Sequence, residues 1–130
     1  MTQEEKDLLL NDLCARLRYG VKISVQSWDE REIEYIDKVD VLYSVNGDEY
    51  IKSVNEDYDF SVEDIKPYLF PLSSITEEQK KELQSLMAQD SFGILYHTLE
   101  SFNYMCKNKI DFRGLIPKGL AIDATGKNIY

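Results

Sequence analysis

The stretch from Ser61 to Thr76 separates two kinds of sequence pattern. It reads Ser-Val-Glu-Asp-Ile-Lys-Pro-Tyr-Leu-Phe-Pro-Leu-Ser-Ser-Ile-Thr and holds two of the three prolines, Pro67 and Pro71. Because each proline ring fixes its own φ angle, we expect a defined path here rather than a flexible linker. Ser61 is placed to cap a short helix over about residues 62–66. The stretch is therefore predicted to be a rigid connector that docks helices on a sheet.

The residues at the start of the chain predict a helix. Thr2 and Glu5 have the spacing of a capping box, in which each side chain bonds the other residue's backbone N–H. Apolar residues then recur at helical intervals up to Gly20, a residue that suits the position just past a helix end. We predict a helix over about Gln3–Tyr19.

Between this helix and the connector the pattern is that of strands. Apolar and polar residues alternate over 21–25 and again over 33–43, and a returning strand is predicted from about residue 50. Asn46-Gly47 is a strong signal for a two-residue hairpin, because both residues tolerate positive φ. Asp37 interrupts the apolar face of the long strand, which favours a bulge near it. The segment predicts an antiparallel meander of about three strands.

Helical spacing returns after the connector. Thr76 begins a second capping-box pattern, and Asp111 is placed to cap a last short segment. Between them one helical stripe is formed by Leu95, Leu99, Phe102 and Cys106. The chain therefore predicts an α+β fold in one domain, 1–130. It consists of an N-terminal helix, a small antiparallel meander, the proline connector, and two to three C-terminal helices packed on one sheet face.

The charge of the chain is negative and uneven. The net charge is −9, with 21 acidic and 10 basic residues in 1–90 but 3 and 5 in 91–130. Binding to nucleic acid relies on Lys and Arg side chains facing phosphates, so we expect no nucleic-acid partner. No apolar run approaches the roughly 18–20 residues that span a bilayer, so no membrane partner is expected either. The acidic start, Met-Thr-Gln-Glu-Glu-Lys-Asp, is unlike a signal peptide and predicts a cytoplasmic protein.

The sequence predicts no metal site. Asn55, Asp57 and Asp59 alternate like the first ligands of a calcium loop, but Phe60 stands where that loop needs glycine and Lys66 where it needs glutamate. The two cysteines are 92 positions apart, and each falls on the apolar stripe of a predicted helix. We expect Cys14 and Cys106 to be buried free thiols.

No cofactor motif or catalytic set is predicted. His97 is the only histidine, and its spacing from Ser101 suggests no catalytic pair. Acidic pairs such as Asp37 with Asp40, or Glu63 with Asp64, are expected by chance among 24 acidic residues. The glycines stand singly, so no phosphate-binding loop is formed. The sequence favours a protein that is not an enzyme. An enzyme whose site is assembled across the fold is the least favoured alternative.

Aromatic residues are the remaining candidates for function. They make up 12% of the chain, a content that suits contact surfaces. Trp28 lies at a predicted hairpin turn, while Tyr68 and Phe70 bracket Leu69 inside the connector. For all three aromatic residues the sequence leaves both alternatives open, core or contact surface.

Three segments together resemble a family of small uncharacterised proteins of gut Bacteroidetes and of their phages or mobile elements. These are Glu-Glu-Lys-Asp-Leu-Leu-Leu-Asn-Asp-Leu-Cys-Ala-Arg-Leu at 4–17 with Tyr-Gly-Val-Lys at 19–22, Val-Glu-Asp-Ile-Lys-Pro-Tyr-Leu-Phe-Pro-Leu-Ser-Ser-Ile-Thr-Glu-Glu-Gln at 62–79, and Asp-Phe-Arg-Gly-Leu-Ile-Pro-Lys-Gly-Leu-Ala-Ile-Asp-Ala at 111–124. The resemblance implies a bacterial, cytoplasmic, single-domain protein, and no activity or cofactor. Members usually have more tryptophan and histidine in the region that is His97–Lys109 here.

The leading functional expectation is a non-catalytic protein-interaction or accessory module, of phage or mobile-element origin. The alternative from another class is an acidic mimic of nucleic acid that binds a basic protein, which the charge of residues 1–90 favours. The expected partner is a protein, and its identity and the oligomeric state stay open.

Overall fold

The computed structural model describes residues 1–25, 35–45, 48–53 and 59–130. The turn predicted around Trp28 and the hairpin residues Asn46-Gly47 lie outside these ranges. Within them the helices are α1 (Gln3–Arg16), α2 (Glu77–Leu86) and α3 (Leu99–Lys107). The strands are β1 (Lys22–Val25), β2 (Tyr35–Val45), β3 (Asp48–Ser53), β4 (Asp59–Ser61), β5 (Ile65–Pro71), β6 (Ala88–Gln89), β7 (Leu95–Tyr96), β8 (Ile110–Asp111) and β9 (Ile122–Asp123). The α+β prediction is confirmed.

Helix α1 begins and ends as its sequence predicts. Thr2 Oγ1 accepts a hydrogen bond from Glu5 N, and Glu5 Oε1 accepts one from Thr2 N, both at 3.1 Å. The last turn, Leu17–Tyr19, tightens to a 3₁₀ helix. Gly20 then ends it with φ +78°, a left-handed conformation that glycine adopts without a Cβ clash.

The predicted meander is present and belongs to a larger sheet. Its strand order is β4-β3-β2-β1-β5-β8, and β9 also pairs with β5. The pairs β1–β2, β2–β3 and β3–β4 are antiparallel, with Val45 opposite Asp48. The bulge expected near Asp37 lies further along the strand. Asp37 pairs regularly with Ile23, and the register shifts between Val39 and Val41.

The proline connector is itself a strand of the sheet, which the sequence did not predict. The helix expected over 62–66 is only a 3₁₀ turn, Val62–Asp64, and the chain then enters β5. Strand β5 pairs antiparallel with β1, placing Ile23 opposite Pro67, and parallel with β8 and β9. It therefore joins the N-terminal meander to both C-terminal strands.

Two groups of buried apolar side chains fill the interior. The larger group joins α1, the central strands and the C-terminal segment, and comprises Leu9, Leu13, Val21, Ile23, Val25, Ile51, Val62, Ile65, Leu69, Leu115, Leu120 and Ala121. The smaller group is Leu83, Met105 and Ile110, packed by α2, α3 and β8. Tyr68 is 1% exposed and is a core residue.

A buried ionic cluster ties α1 to the C-terminal segment. Asp12 and Arg16, one helical turn apart, are fully buried and form an ion pair. The Arg16 guanidinium also donates to the carbonyl oxygens of Met105 (3.4 Å) and Ile110 (2.6 Å). Arg113 Nε donates to Asp12 Oδ1 at 3.2 Å, from a partly exposed position. Each buried charge thus has several partners, as the cost of desolvating an ion requires.

Hydrogen bonds of two side chains fix the C-terminal segment. Asp111 acts as a cap: its two carboxylate oxygens accept from Leu115 N and Ile116 N, both at 2.9 Å, although turns follow rather than a helix. Residues 125–128 are exposed, but the Tyr130 hydroxyl accepts from Lys22 N (2.9 Å) and donates to Tyr68 O (2.8 Å), so residue 130 is attached to β1 and β5.

Candidate functional site

A short hairpin between α2 and α3 carries Phe92, the large apolar side chain with the highest exposed fraction among the described residues. Strands β6 and β7 pair antiparallel, with Gln89 opposite Leu95. Asp90 builds the turn, because its Oδ1 accepts from Phe92 N (2.8 Å) and Ile94 N (2.9 Å). Gly93 sits at φ +78°, where a residue with a Cβ would be strained. The turn is thus held by its own hydrogen bonds and points Phe92 outward.

Apolar exposure continues from this turn into the first turns of α3. Phe92 is 87% exposed, Leu99 75% and Ile94 63%. We define the apolar hairpin surface as these residues and their exposed neighbours: Phe92, Ile94, Leu95, Tyr96, Leu99 and Phe102. Large apolar side chains are more often buried, and these six are all exposed within the segment 92–102.

The hairpin is attached to both neighbouring helices. Thr98 caps α3 by accepting from Ser101 N (3.2 Å), and its hydroxyl donates to Leu86 O (2.5 Å) at the end of α2. Tyr104 of α3 donates to Glu82 of α2 at 2.7 Å. Burial of the Tyr104 hydroxyl, with this hydrogen bond to the carboxylate, raises the pKa of Tyr104 to about 12. The apolar hairpin surface therefore sits on a fixed support.

The sequence missed this surface because its spacing imitates a helix. The sequence placed Leu95, Leu99, Phe102 and Cys106 on one helical stripe and predicted burial of Cys106. Helix α3 begins only at Leu99, and of these four residues only Cys106 is buried. The signals for a hairpin were the Asp90-Ser91-Phe92-Gly93 turn and the capping residue Thr98, both visible in the sequence.

The structure brings His97 and Ser101 together, but not as a catalytic pair. Their Nδ1 and Oγ atoms are 3.1 Å apart. The Ser101 hydroxyl donates to Thr98 O (2.9 Å), and Ser101 Oγ accepts from Thr98 N (2.8 Å). Ser101 is fully buried, so its oxygen is not open to a substrate. This serine therefore stabilises the start of α3.

The two cysteines differ from each other. Both are free thiols, and Cys106 is buried as expected. Cys14 is exposed, which corrects the prediction that it would be buried, because its position on α1 faces away from Leu9 and Leu13. Burial raises the pKa of the Cys106 thiol, so it lacks the activated thiolate of a nucleophilic cysteine.

The remaining candidates from the sequence are two aromatic residues, Phe70 and Trp28, and the calcium-like pattern. Phe70 is half-buried, with its ring centroid 6.0 Å from that of Tyr130, while Trp28 lies outside the described residues. Asn55 and Asp57 of the calcium-like pattern also lie outside them. Among the residues whose side chains are described, no three His, Cys, Asp or Glu residues are grouped so as to hold a metal ion. No helix in the described ranges is long and apolar enough to cross a membrane.

Comparisons with known proteins identify no relative. Models of protein families give no match to the chain, and neither curated proteins nor solved structures give a significant one.

Proposed function

We propose that this chain is a non-catalytic protein-interaction module that binds its partner through the apolar hairpin surface. The observation that supports it is the exposure of Phe92, Ile94 and Leu99 on a hydrogen-bonded hairpin. Aromatic and aliphatic side chains held outward at low conformational cost are the usual anchors of protein interfaces.

The size of the surface supports a protein rather than a small-molecule partner. With roughly 150–250 Å² available per large side chain, the six residues together expose on the order of 700 Å². The largest apolar patch of a typical monomer is about 300–600 Å², and a standard protein interface buries about 800 Å² on each partner. An exposed apolar area of this order is comparable to the area that one side of a protein interface buries.

The charges around the hairpin support one kind of partner. Between Glu82 and Cys106 the sequence contains three acidic residues, the others being Asp90 and Glu100, and no Lys or Arg. All three are exposed, and the whole chain has a net charge of −9. We infer a protein partner with an apolar groove bordered by Lys or Arg side chains, since complementary charge speeds encounter and selects orientation.

This proposal is favoured over both alternatives. A nucleic-acid mimic needs carboxylates spaced like phosphates, whereas the centre of this surface is apolar. An enzyme needs an activated group, and the His97–Ser101 pair is occupied in capping α3. Two free thiols support a reducing compartment such as the bacterial cytoplasm, in agreement with an accessory protein of phage or mobile-element origin.

Site-directed photo-crosslinking in the bacterial cytoplasm tests the proposal. A photoreactive phenylalanine at position 92 should capture one protein, and the same group at Leu72, an exposed leucine on another element, should not. The captured protein is then purified, and its affinity is measured by calorimetry for the wild type, Phe92→Ser/Leu99→Ser and Leu72→Ser.

We expect the double variant to lose at least about thirtyfold in affinity, since hot-spot truncations cost about 2 kcal/mol or more and every 1.4 kcal/mol is tenfold. Leu72→Ser should bind like the wild type. Added salt should weaken binding, because the proposed contacts of the acidic residues around the hairpin with Lys or Arg of the partner are ionic. Equal affinity of both variants would contradict the proposal. Crosslinking only to a second copy of the chain, or binding only to lipid vesicles, would also overturn it.

A further inference from the structure

A separate cavity lies where the end of α3, the start of α2 and strands β5 and β8 meet. Its volume is about 330 Å³, at the lower end of the roughly 300–1,000 Å³ of small-molecule sites. The walls combine apolar side chains, including Phe70, Ile110 and Tyr130, with polar side chains from both helices. This cavity shares no lining residue with the apolar hairpin surface.

The aromatic wall is fixed without a ligand. The Tyr130 hydroxyl is held between Lys22 N and Tyr68 O, and the ring lies beside Phe70. Lys109 Nζ lies 5.2 Å from the centre of the Tyr130 ring and donates to two backbone carbonyls. A ring-shaped ligand would therefore meet a preformed apolar surface, which reduces the entropy cost of binding.

The polar wall is positive in a chain that is strongly negative. Lys107 and Lys109 line the cavity, and no acidic side chain is among its described lining residues. Lys107 is exposed, and Lys109 donates to the backbone carbonyl oxygens of Tyr19 and Lys107. Against a net charge of −9, this is a local preference for a negatively charged group.

The neutral polar groups indicate what else the ligand would carry. The Ser74 hydroxyl donates to Pro71 O (2.7 Å), so its oxygen remains an acceptor towards the cavity. Asn108 Nδ2 donates to Tyr104 O (2.9 Å), which leaves its side-chain oxygen as an acceptor. A ligand with one hydroxyl or N–H group besides its anionic group would match these residues.

We propose that this cavity binds a small aromatic anion, with its carboxylate or phosphate at Lys107 and its ring against Phe70 and Tyr130. The site does not depend on the protein-interaction surface, so either can exist without the other.

An NMR titration of the ¹⁵N-labelled full chain tests this with four probes. These are 4-hydroxybenzoate, benzoate, phenyl phosphate and the neutral 4-hydroxybenzyl alcohol. The first three should shift the resonances of Gln79, Asn108 and Ile110 in a saturable way, and the neutral probe should bind at least about tenfold more weakly. Comparing the carboxylates with the phosphate identifies which anion the site prefers.

Lys107→Gln should lower the affinity for the anionic probes about fivefold, because it removes one partly screened charge contact. Lys118→Gln, at an exposed lysine outside the cavity, is the matched control and should change nothing. Ser74→Phe should fill the cavity and abolish the shifts while the thermal unfolding curve shows a folded chain. Shifts confined to the hairpin, no saturation below about 10 mM, or equal affinity of both lysine variants would overturn the proposal.

Discussion

The carboxylate of Asp12 and the guanidinium of Arg16 form a two-point ion pair inside the protein, with Oδ2–Nε at 2.8 Å and Oδ1–Nη2 at 3.1 Å. Neither side chain is exposed to solvent. The pair joins α1 to α3 and β8 through the bonds of Arg16 to Met105 O and Ile110 O. Two segments at opposite ends of the sequence therefore depend on one buried charge pair.

Removal of Asp12 from the buried pair should lower the free energy of unfolding far more than removal of an exposed ion pair. Asp12→Ala leaves the Arg16 guanidinium buried without its carboxylate, so we expect the free energy of unfolding to fall by about 3–5 kcal/mol. Asp12→Asn, which keeps one acceptor oxygen, should lose less. Urea denaturation measures both. The control is Glu63→Gln, which breaks the exposed Lys6–Glu63 pair and should barely move the midpoint. Equal midpoints for all three variants would contradict the role of the buried pair.

The sequence predicted those parts of the fold that local patterns decide. Capping boxes at Thr2 and Thr76 located the starts of α1 and α2, because each is a set of hydrogen bonds within one turn. The meander followed from alternation and the Asn46-Gly47 signal. These features depend on neighbours within a few residues, and a single sequence contains all of that information.

The features of the fold that the sequence did not predict depend on contacts between residues that are far apart in the chain. Pro67 and Pro71 favoured a connector, since proline is disfavoured inside sheets, yet pairing with β1, β8 and β9 makes the segment a strand. Arg16 is the last residue of α1, and its burial depends on residues about 90 positions away. Leu95, Leu99 and Phe102 of the apolar hairpin surface were assigned to one helical stripe because their spacing is helical.

The two thiols should react at very different rates. Cys14 is exposed, whereas Cys106 is 3% exposed and burial raises its pKa, so it offers little thiolate to a reagent. Under native conditions a disulfide-exchange reagent should modify one thiol per chain quickly and the second only after unfolding in urea. Cys14→Ser should abolish the fast phase, and Cys106→Ser should preserve it. Two fast phases in the wild type would contradict the packing of α3.

Lys109 has a left-handed backbone, with φ +57°, at the turn between α3 and β8. A Cβ in this region costs about 1–2 kcal/mol, which glycine avoids. Lys109→Gly and Lys109→Ala both lose the bonds of Nζ to Tyr19 O and Lys107 O, so their difference isolates the backbone term. We expect the glycine variant to be more stable by about 1 kcal/mol in urea denaturation.

The control for this comparison is Lys107, the last residue of α3, which has a helical conformation. There glycine should be the less stable of the two variants, by about 0.5–1 kcal/mol, because it loses more backbone entropy in a helix. The sign of the difference should therefore reverse within two residues. The same sign at both positions would refute the assignment of a strained backbone to Lys109.

The attachment of Tyr130 should make stability depend on pH in the alkaline range. Burial of its hydroxyl raises the pKa of Tyr130 from 10.0 to about 12, although the hydrogen bond from Lys22 N acts in the opposite direction. The folded chain thus holds this proton more tightly than the unfolded chain. Its contribution to stability is complete below pH 10 and is lost as pH rises towards 12.

We expect the free energy of unfolding to fall across this range, with a share from Tyr130 on the order of 1 kcal/mol, since the residue is 44% exposed. Urea denaturation at several pH values, together with the ultraviolet absorbance of phenolate, measures both quantities. Tyr130→Phe should be less stable at neutral pH, because Lys22 N loses its acceptor, but should show a shallower alkaline decline. Tyr104→Phe, at the other tyrosine whose pKa is raised to about 12, should also make the decline shallower while leaving the bonds of Tyr130 intact. If Tyr130→Phe and the wild type lost stability equally between pH 10 and 12, the Tyr130 hydroxyl would not be enclosed by β1 and β5.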